Sequence, residues 1–203
     1  MRAELLSHTP FKQLRAAIGD SGVSDRDLLP HASFTFAIEG ISRACSHQLV
    51  RHRVASYSQQ SQRYTPVRRL RERVVVPPSV RELSPELFSA NVEATSEAYE
   101  GLVSAGVPRE DARFVLPNAT ETNLLMTMEG RSLLHFFGLR CCERAQWEIK
   151  ELADGMLREV RAAEPELFGG AGPYCHQLGH CPEGRFTCGR MKEVVERYSC
   201  VSG

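Results

Sequence analysis

The sequence contains no long apolar run. Its opening, MRAELLSHTPFKQ, lacks the hydrophobic stretch of a signal peptide, and no segment approaches the roughly 20 apolar residues that span a bilayer. The expectation is a cytoplasmic protein with no membrane partner. Charge bias is also missing: 25 Lys and Arg offset 25 Asp and Glu. That balance argues against the broad positive field of a general nucleic-acid or anionic-membrane binder. Lysine is scarce, limited to Lys12, Lys150 and Lys192. Paired Cys-x-x-Cys spacing is absent. The seven cysteines (Cys45, Cys141, Cys142, Cys175, Cys181, Cys188 and Cys200) are odd in number and read as reduced thiols, not a disulfide framework. Repeats and low-complexity tracts are absent too. What remains is an ordinary globular composition, 42% hydrophobic and 25% charged over 203 residues, enough to bury a sizeable core.

Against that even background, basic charge is concentrated in one place. From Arg43 to Arg73 the only acid is Glu72, among many arginines. Arg51-His52-Arg53 is followed, after seven residues, by Ser61 and then Gln62-Arg63-Tyr64. Arginine suits phosphate because its planar fork donates two hydrogen bonds and keeps its charge. The Ser and Gln residues between the arginines offer neutral donors and acceptors for a base and a sugar. A solvated basic loop paired with acids elsewhere is the competing reading. RNA binding is disfavoured because only Tyr57 and Tyr64 are available to stack bases.

The periodicity predicts a mixed α/β chain. Ser33 to Gly40 reads as a strand and Ile41 to about Arg53 as a helix, with Gln48 and Arg51 on one face. Ala55 to Pro66 reads as loop, and Arg73 to Val76 as a strand end before Pro77-Pro78. Ser84 is expected to cap a helix running to Gly106, and Pro108 to open a short helix ending at Pro117. Asn118 to Met128 stays ambiguous between strand and helix. Arg131 to Cys142 and Ala145 to Ala163 read as helices, with Trp147 as a core anchor. The expected division is one domain over 1–168 and a Gly- and Cys-rich tail over 169–203.

Three blocks carry a resemblance. Gln48 and Arg51-His52-Arg53 with Ser61-Gln62-Arg63-Tyr64 form the first. Glu110-Asp111-Ala112-Arg113-Phe114-Val115-Leu116-Pro117 is the second. The third runs from Gly130-Arg131-Ser132-Leu133 through His135-Phe136-Phe137 and Leu139-Arg140 to Ala145-Gln146-Trp147-Glu148-Ile149. In order and spacing, from about Phe34 to Met156, the chain resembles the flavin-dependent thymidylate synthases.

The resemblance implies an α/β domain with a twisted central sheet flanked by helices, assembled as a homotetramer with shared active sites. It implies methylation of dUMP to dTMP, with methylenetetrahydrofolate as carbon donor and hydride from FAD reduced by NADPH. Gln48, Leu49, Val50, Arg51, Gln59, Gln60, Ser61, Gln62, Arg63, Arg113 and Arg140 match dUMP-binding positions. Arg51, His52, Arg53, Gln59, Glu129, Gly130, Arg131 and His135 match flavin positions, and His31 is a weaker candidate. Arg140 matches the catalytic arginine that favours an ionised uracil N3; a fixed cation lowers the pKa of the group beside it. The chain departs from the family at Gln59, where relatives often carry Glu, and at Glu129, where they often carry Asn.

Helical geometry adds a constraint. Arg131 and His135 share a face, whereas Arg140, nine residues beyond Arg131, lies roughly opposite at 3.6 residues per turn. Two ligands or a site shared between subunits would reconcile them. Ser61 with His52 invites a nucleophile-and-base reading, but the resemblance assigns Ser61 to substrate binding. Cys175, Cys181 and Cys188, with His176 and His180, supply soft ligands for Zn²⁺. Their spacing is loose, so reduced thiols without metal are the expectation. Two rival functions remain at this point: a flavin or nucleotide oxidoreductase without dUMP specificity, and an Arg-rich RNA-binding module.

Overall fold

The computed structural model describes residues 1–199; the last four, including Cys200, lie outside the described residues. Chain order is β1 (Arg2–His8), α1 (Phe11–Ile18), α2 (Asp25–Leu28), β2 (Ser33–Ser42), α3 (Arg43–Leu49) and β3 (Ser56–Gln59). Then come α4 (Pro78–Leu83), α5 (Pro85–Ser104), α6 (Arg109–Ala112), β4 (Glu121–Glu129), α7 (Gly130–Arg140) and α8 (Trp147–Ala163). The short α9 (Pro165–Phe168), α10 (Tyr174–Leu178) and α11 (Met191–Ser199) follow. The four strands pair antiparallel in the order β1-β2-β4-β3.

Alternation builds the core. Phe34, Phe36 and Ile38 on β2, with Leu124, Met126 and Met128 on β4, point to one face of the sheet and are buried. Against that face lies α8, whose Ile149, Leu152, Ala153, Met156, Leu157 and Val160 recur at helical spacing. Phe136 and Phe137 of α7 fill the same core. Burying one such side chain contributes about 1.5–3 kcal/mol.

Several boundaries differ from the sequence reading. The helix expected from Ile41 starts only at Arg43 and ends at Leu49. Gly40 takes a positive φ of 67° and absorbs a register shift, so β2 continues as Ile41 and Ser42 pair with Thr122 and Glu121. The Ser42 hydroxyl then accepts the Cys45 N–H and starts α3. The expected loop contains β3, an edge strand held by backbone pairing to β4, which apolar alternation does not reveal. The ambiguous segment resolves as β4 because its buried residues recur at period two. Ser84 does not cap α5 with its side chain. The helix expected up to Pro117 gives way at Arg113 to a 3₁₀ turn. Trp147 is only partly buried, and Ile149 takes the core position. The N-terminal β1 and α1 were not anticipated.

Beyond Gly169 the chain stays packed on the body. Ala171, Cys175, Val194 and Tyr198 belong to the same buried cluster. Buried Arg161 donates to the carbonyls of Phe168 (3.2 Å), Ala171 (2.6 Å) and Tyr198 (3.0 Å), clasping this segment to α8.

Candidate active site

Two groups of the sequence-selected residues meet on opposite faces of α3. Cys45 and Leu49, four apart, form its buried face; Arg43 and His47, also four apart, form the outer one. On the buried side Arg140 reaches over from the last turn of α7, and its Nε donates to His52 Nε2 at 3.0 Å. The His52 ring packs edge-on against Phe136, with ring centroids 5.0 Å apart. Burial, then Arg140, then His135 disfavour its charged form and push its pKa down to about 4. His52 is therefore neutral at pH 7, with Nε2 as acceptor. Burial also lowers the Arg140 pKa. Cys45 is pushed well up by burial and by Glu148, with Arg140 opposing; its thiol is a packing group.

The backbone around His52 is held by Tyr57. Its hydroxyl lies 2.8 Å from the Leu49 carbonyl and 3.1 Å from that of His52, tying the Arg51–Arg53 turn to β3. The result leaves Arg51 and Arg53 exposed on either side of buried His52. Leu49 faces the core, so only its backbone is available to a ligand. Deeper in, Ser42 donates both its N–H (2.6 Å) and its hydroxyl (2.5 Å) to Glu148, fixing α3 to α8.

The outer face of α3 borders a cavity of about 250 Å³. Arg43, His47, Gln62, Arg113 and Asn118 line it. Arg43 and Arg113 face each other closely; after burial, Arg113 is the second cause that lowers the Arg43 pKa. Gln62 Nε2 is buried without a hydrogen-bond partner. A buried amide donor without a partner beside two facing cations suits an anionic ligand rich in acceptor oxygens. Arg43 and His47 escaped the sequence reading, although their i,i+4 spacing just before Gln48 was a visible signal.

The remaining residues sit around these two groups. Gln59 Nε2 donates to the Thr122 hydroxyl at 3.2 Å, and the Gln60 N–H to the Asn123 carbonyl at 3.0 Å. The Ser61 hydroxyl accepts the Arg63 N–H at 3.2 Å, a turn contact. His52 Nε2 is already bonded to Arg140, so it is not placed to activate Ser61. Arg63 donates twice to one Glu110 oxygen, at 3.0 and 2.8 Å. Partway round α7, Arg131 and His135 are exposed; Arg131 donates to the Arg26 carbonyl at 3.3 Å, and His135 bonds the Tyr174 hydroxyl.

Glu129 has a clear local role. Its carboxylate caps α7, accepting the N–H of Ser132 at 2.7 Å and of Arg131 at 3.0 Å, and it also bonds the Ser132 hydroxyl. The side chain is turned into its own helix, so the charge is absorbed by the cap. Gly130 beside it allows a close approach: a Cβ there would lie 2.9 Å from the Leu29 carbonyl oxygen.

Residues 22–166 match the model of the thymidylate synthase complementing protein family. The flavin-dependent thymidylate synthase of Geobacter sulfurreducens is 59% identical over 87% of this chain and 77% of its own length. The chain belongs to the flavin-dependent thymidylate synthase family. The family member from Thermococcus onnurineus is 50% identical over 89% of this chain and 78% of its own. Thymidylate synthase X from Helicobacter pylori, solved with FAD and dUMP, shares the fold with a TM-score of 0.67 at 24% identity. That likeness covers 83% of this chain and 97% of the solved one.

Proposed function

We propose that this chain methylates dUMP to dTMP, using FAD as hydride carrier, methylenetetrahydrofolate as carbon donor and NADPH as reductant. The observation that carries the reading is Arg140. It is a half-buried cation whose partner is a neutral imidazole, and no carboxylate pairs with it among the described residues. Such a group stabilises an anion that forms beside it, here the ionised N3 of a uracil ring. The family membership and the ligands of the Helicobacter pylori protein agree with that assignment.

The residues present fit both ligands. Gln48, Gln60, Ser61, Gln62, Arg63 and Arg113 would hold dUMP, with the partnerless Gln62 amide and the Arg43–Arg113 pair facing its acceptor oxygens. Arg51, Arg53 and Arg131, all exposed, would hold the flavin phosphates, with His52, Gln59 and His135 beside them. Bound flavin supplies the hydride chemistry, for which no protein nucleophile is needed. Glu129 and Gly130 would act through their backbone, since the Glu129 carboxylate is engaged in the cap. Exposure of three flavin-facing arginines in one chain agrees with a homotetramer whose sites are shared. Among the described residues no helix is long and apolar enough to cross a membrane, and a cytoplasmic location accords with small-molecule substrates.

The test is purification with FAD followed by assay. A flavin absorption band and dTMP formation from dUMP, methylenetetrahydrofolate and NADPH are the expected results. A flavoprotein that forms no dTMP would leave only the oxidoreductase rival.

A further inference from the structure

Four cysteines from distant parts of the chain line one small cavity beside the C-terminal end of α7. Cys142 follows the end of α7, Cys175 lies in α10, and Cys181 and Cys188 lie in the loop between α10 and α11. All four are free thiols.

The loop itself is unusual. From Leu178 to Arg190 the only side chains not exposed are Cys181 and Cys188. Its turns use Gly179, Gly184 and Gly189 at φ of 72°, 52° and 73°, a backbone shape that favours glycine. The hydrogen bonds of Phe186, Thr187 and Gly189 N–H groups all close within the loop. No apolar side chain of it is buried; two inward thiols and, at its end, the ion pair of Arg190 with Glu143 hold it to the body.

From this arrangement we infer that Cys142, Cys175, Cys181 and Cys188 form a structural tetrathiolate site for a single Zn²⁺ ion. Four thiolates satisfy the tetrahedral preference of zinc at about 2.3 Å per bond. The cavity measures about 20 Å³, near the volume one water-sized sphere needs, so it suits one ion and not an iron–sulfur cluster. Among the described residues no group of three His, Cys, Asp or Glu side chains is already placed to hold a metal ion, so the site requires the thiols around the cavity to rotate onto it. Each coordinating thiol releases its proton to solvent. The cavity wall also carries Arg144 and the carboxylates of Glu143 and Glu183, so a divalent cation is the charge it suits. His176 is turned toward Tyr198 and stays outside the ligand set.

Such a site would fasten the C-terminal segment to the end of α7, two residues beyond Arg140. That segment carries Tyr174, which bonds His135, and Gln177, which donates to the Leu134 carbonyl at 2.9 Å. The ion would thus tie the C-terminal segment to the middle and the end of α7 without touching substrate.

The experiment measures zinc in the full chain, purified reduced and without an affinity metal or chelator. The expected content is about one zinc per chain. Exchange with Co²⁺ should then give tetrahedral d–d bands and strong thiolate-to-cobalt charge transfer. Cys181→Ser and Cys188→Ser should each lose stoichiometric zinc, whereas Cys45→Ala should retain it. Far-ultraviolet circular dichroism reports whether each variant folds. The inference is overturned if the reduced native chain neither carries zinc nor takes up Co²⁺. Full zinc retention by the double Cys181→Ser, Cys188→Ser variant would overturn it too. A metal-free native chain whose mass shows these thiols joined as disulfides would do the same. Metal content is read without flavin or dUMP, so this result and the dTMP assay stand or fall separately.

Discussion

Arg140 and His52 share one hydrogen bond, in which the guanidinium Nε donates to the imidazole Nε2 at 3.0 Å. The arginine keeps its protons, so the bond exists only while His52 is neutral. Protonating His52 would break the bond and set two cations together in a half-buried place. The pair therefore orients Arg140 without spending its charge.

This pair predicts an acid limb in stability. His52 has a folded pKa of about 4 against an ordinary 6.5, so between those values the unfolded chain binds a proton that the folded one excludes. Stability from this residue is complete above pH 6.5 and is lost as pH falls toward 4, by up to about 2–3 kcal/mol. Chemical denaturation of the apoprotein at stepped pH should show this. His176, whose pKa is also lowered by burial, adds to the same limb. His52→Gln should flatten the limb in part, and identical limbs in both proteins would contradict the assignment.

Glu129→Ala should destabilise the protein by about 1–2 kcal/mol, the usual worth of a helix N-cap. Glu129→Asn should recover most of the loss, because an amide oxygen caps almost as well. Denaturant midpoints decide the matter. Equal midpoints for all three chains would show that the cap contributes nothing.

Ser61→Ala should raise KM for dUMP about threefold to tenfold, the scale of one hydrogen bond of ~0.5–1.5 kcal/mol, with kcat little changed. Steady-state kinetics measure both. Loss of all turnover at unchanged KM would restore a nucleophilic role for the hydroxyl.

Gly138→Ala should destabilise by about 1–3 kcal/mol, because the new Cβ would lie 2.7 Å from the Tyr174 ring. Gly155→Ala on α8 is the control. There the nearest atom would be 3.7 Å away, and replacing glycine in a helix interior should gain roughly 0.5–1 kcal/mol. Thermal unfolding of the two variants in opposite directions is the expected result. A shared direction would show that contact with Tyr174 does not govern the effect.

Residues whose chemistry is local were legible in the sequence. Strand β2 announced itself through Phe34, Phe36 and Ile38, and α8 through its apolar stripe. The motif residues were legible through resemblance, which places Arg51, Ser61, Arg113 and Arg140 without knowing what holds them. Partnerships across the fold were not legible. That Glu129 would be absorbed by its own helix start, or that Arg140 would meet His52 88 positions away, depends on packing. The edge strand β3 was hidden because backbone pairing alone specifies it. Cys142 stood outside the soft-ligand group Cys175, Cys181 and Cys188 because its position far back in the sequence hides its place; the fold brings it beside those thiols.

The most direct test is dTMP formation from dUMP by the FAD-loaded native chain beside its Arg140→Ala variant, with methylenetetrahydrofolate and NADPH. The native chain should turn over, and Arg140→Ala should keep its flavin band while losing at least about a hundredfold in kcat, the scale of one electrostatic stabiliser. A native chain that binds FAD yet makes no dTMP, or an Arg140→Ala variant with undiminished turnover, would contradict the account.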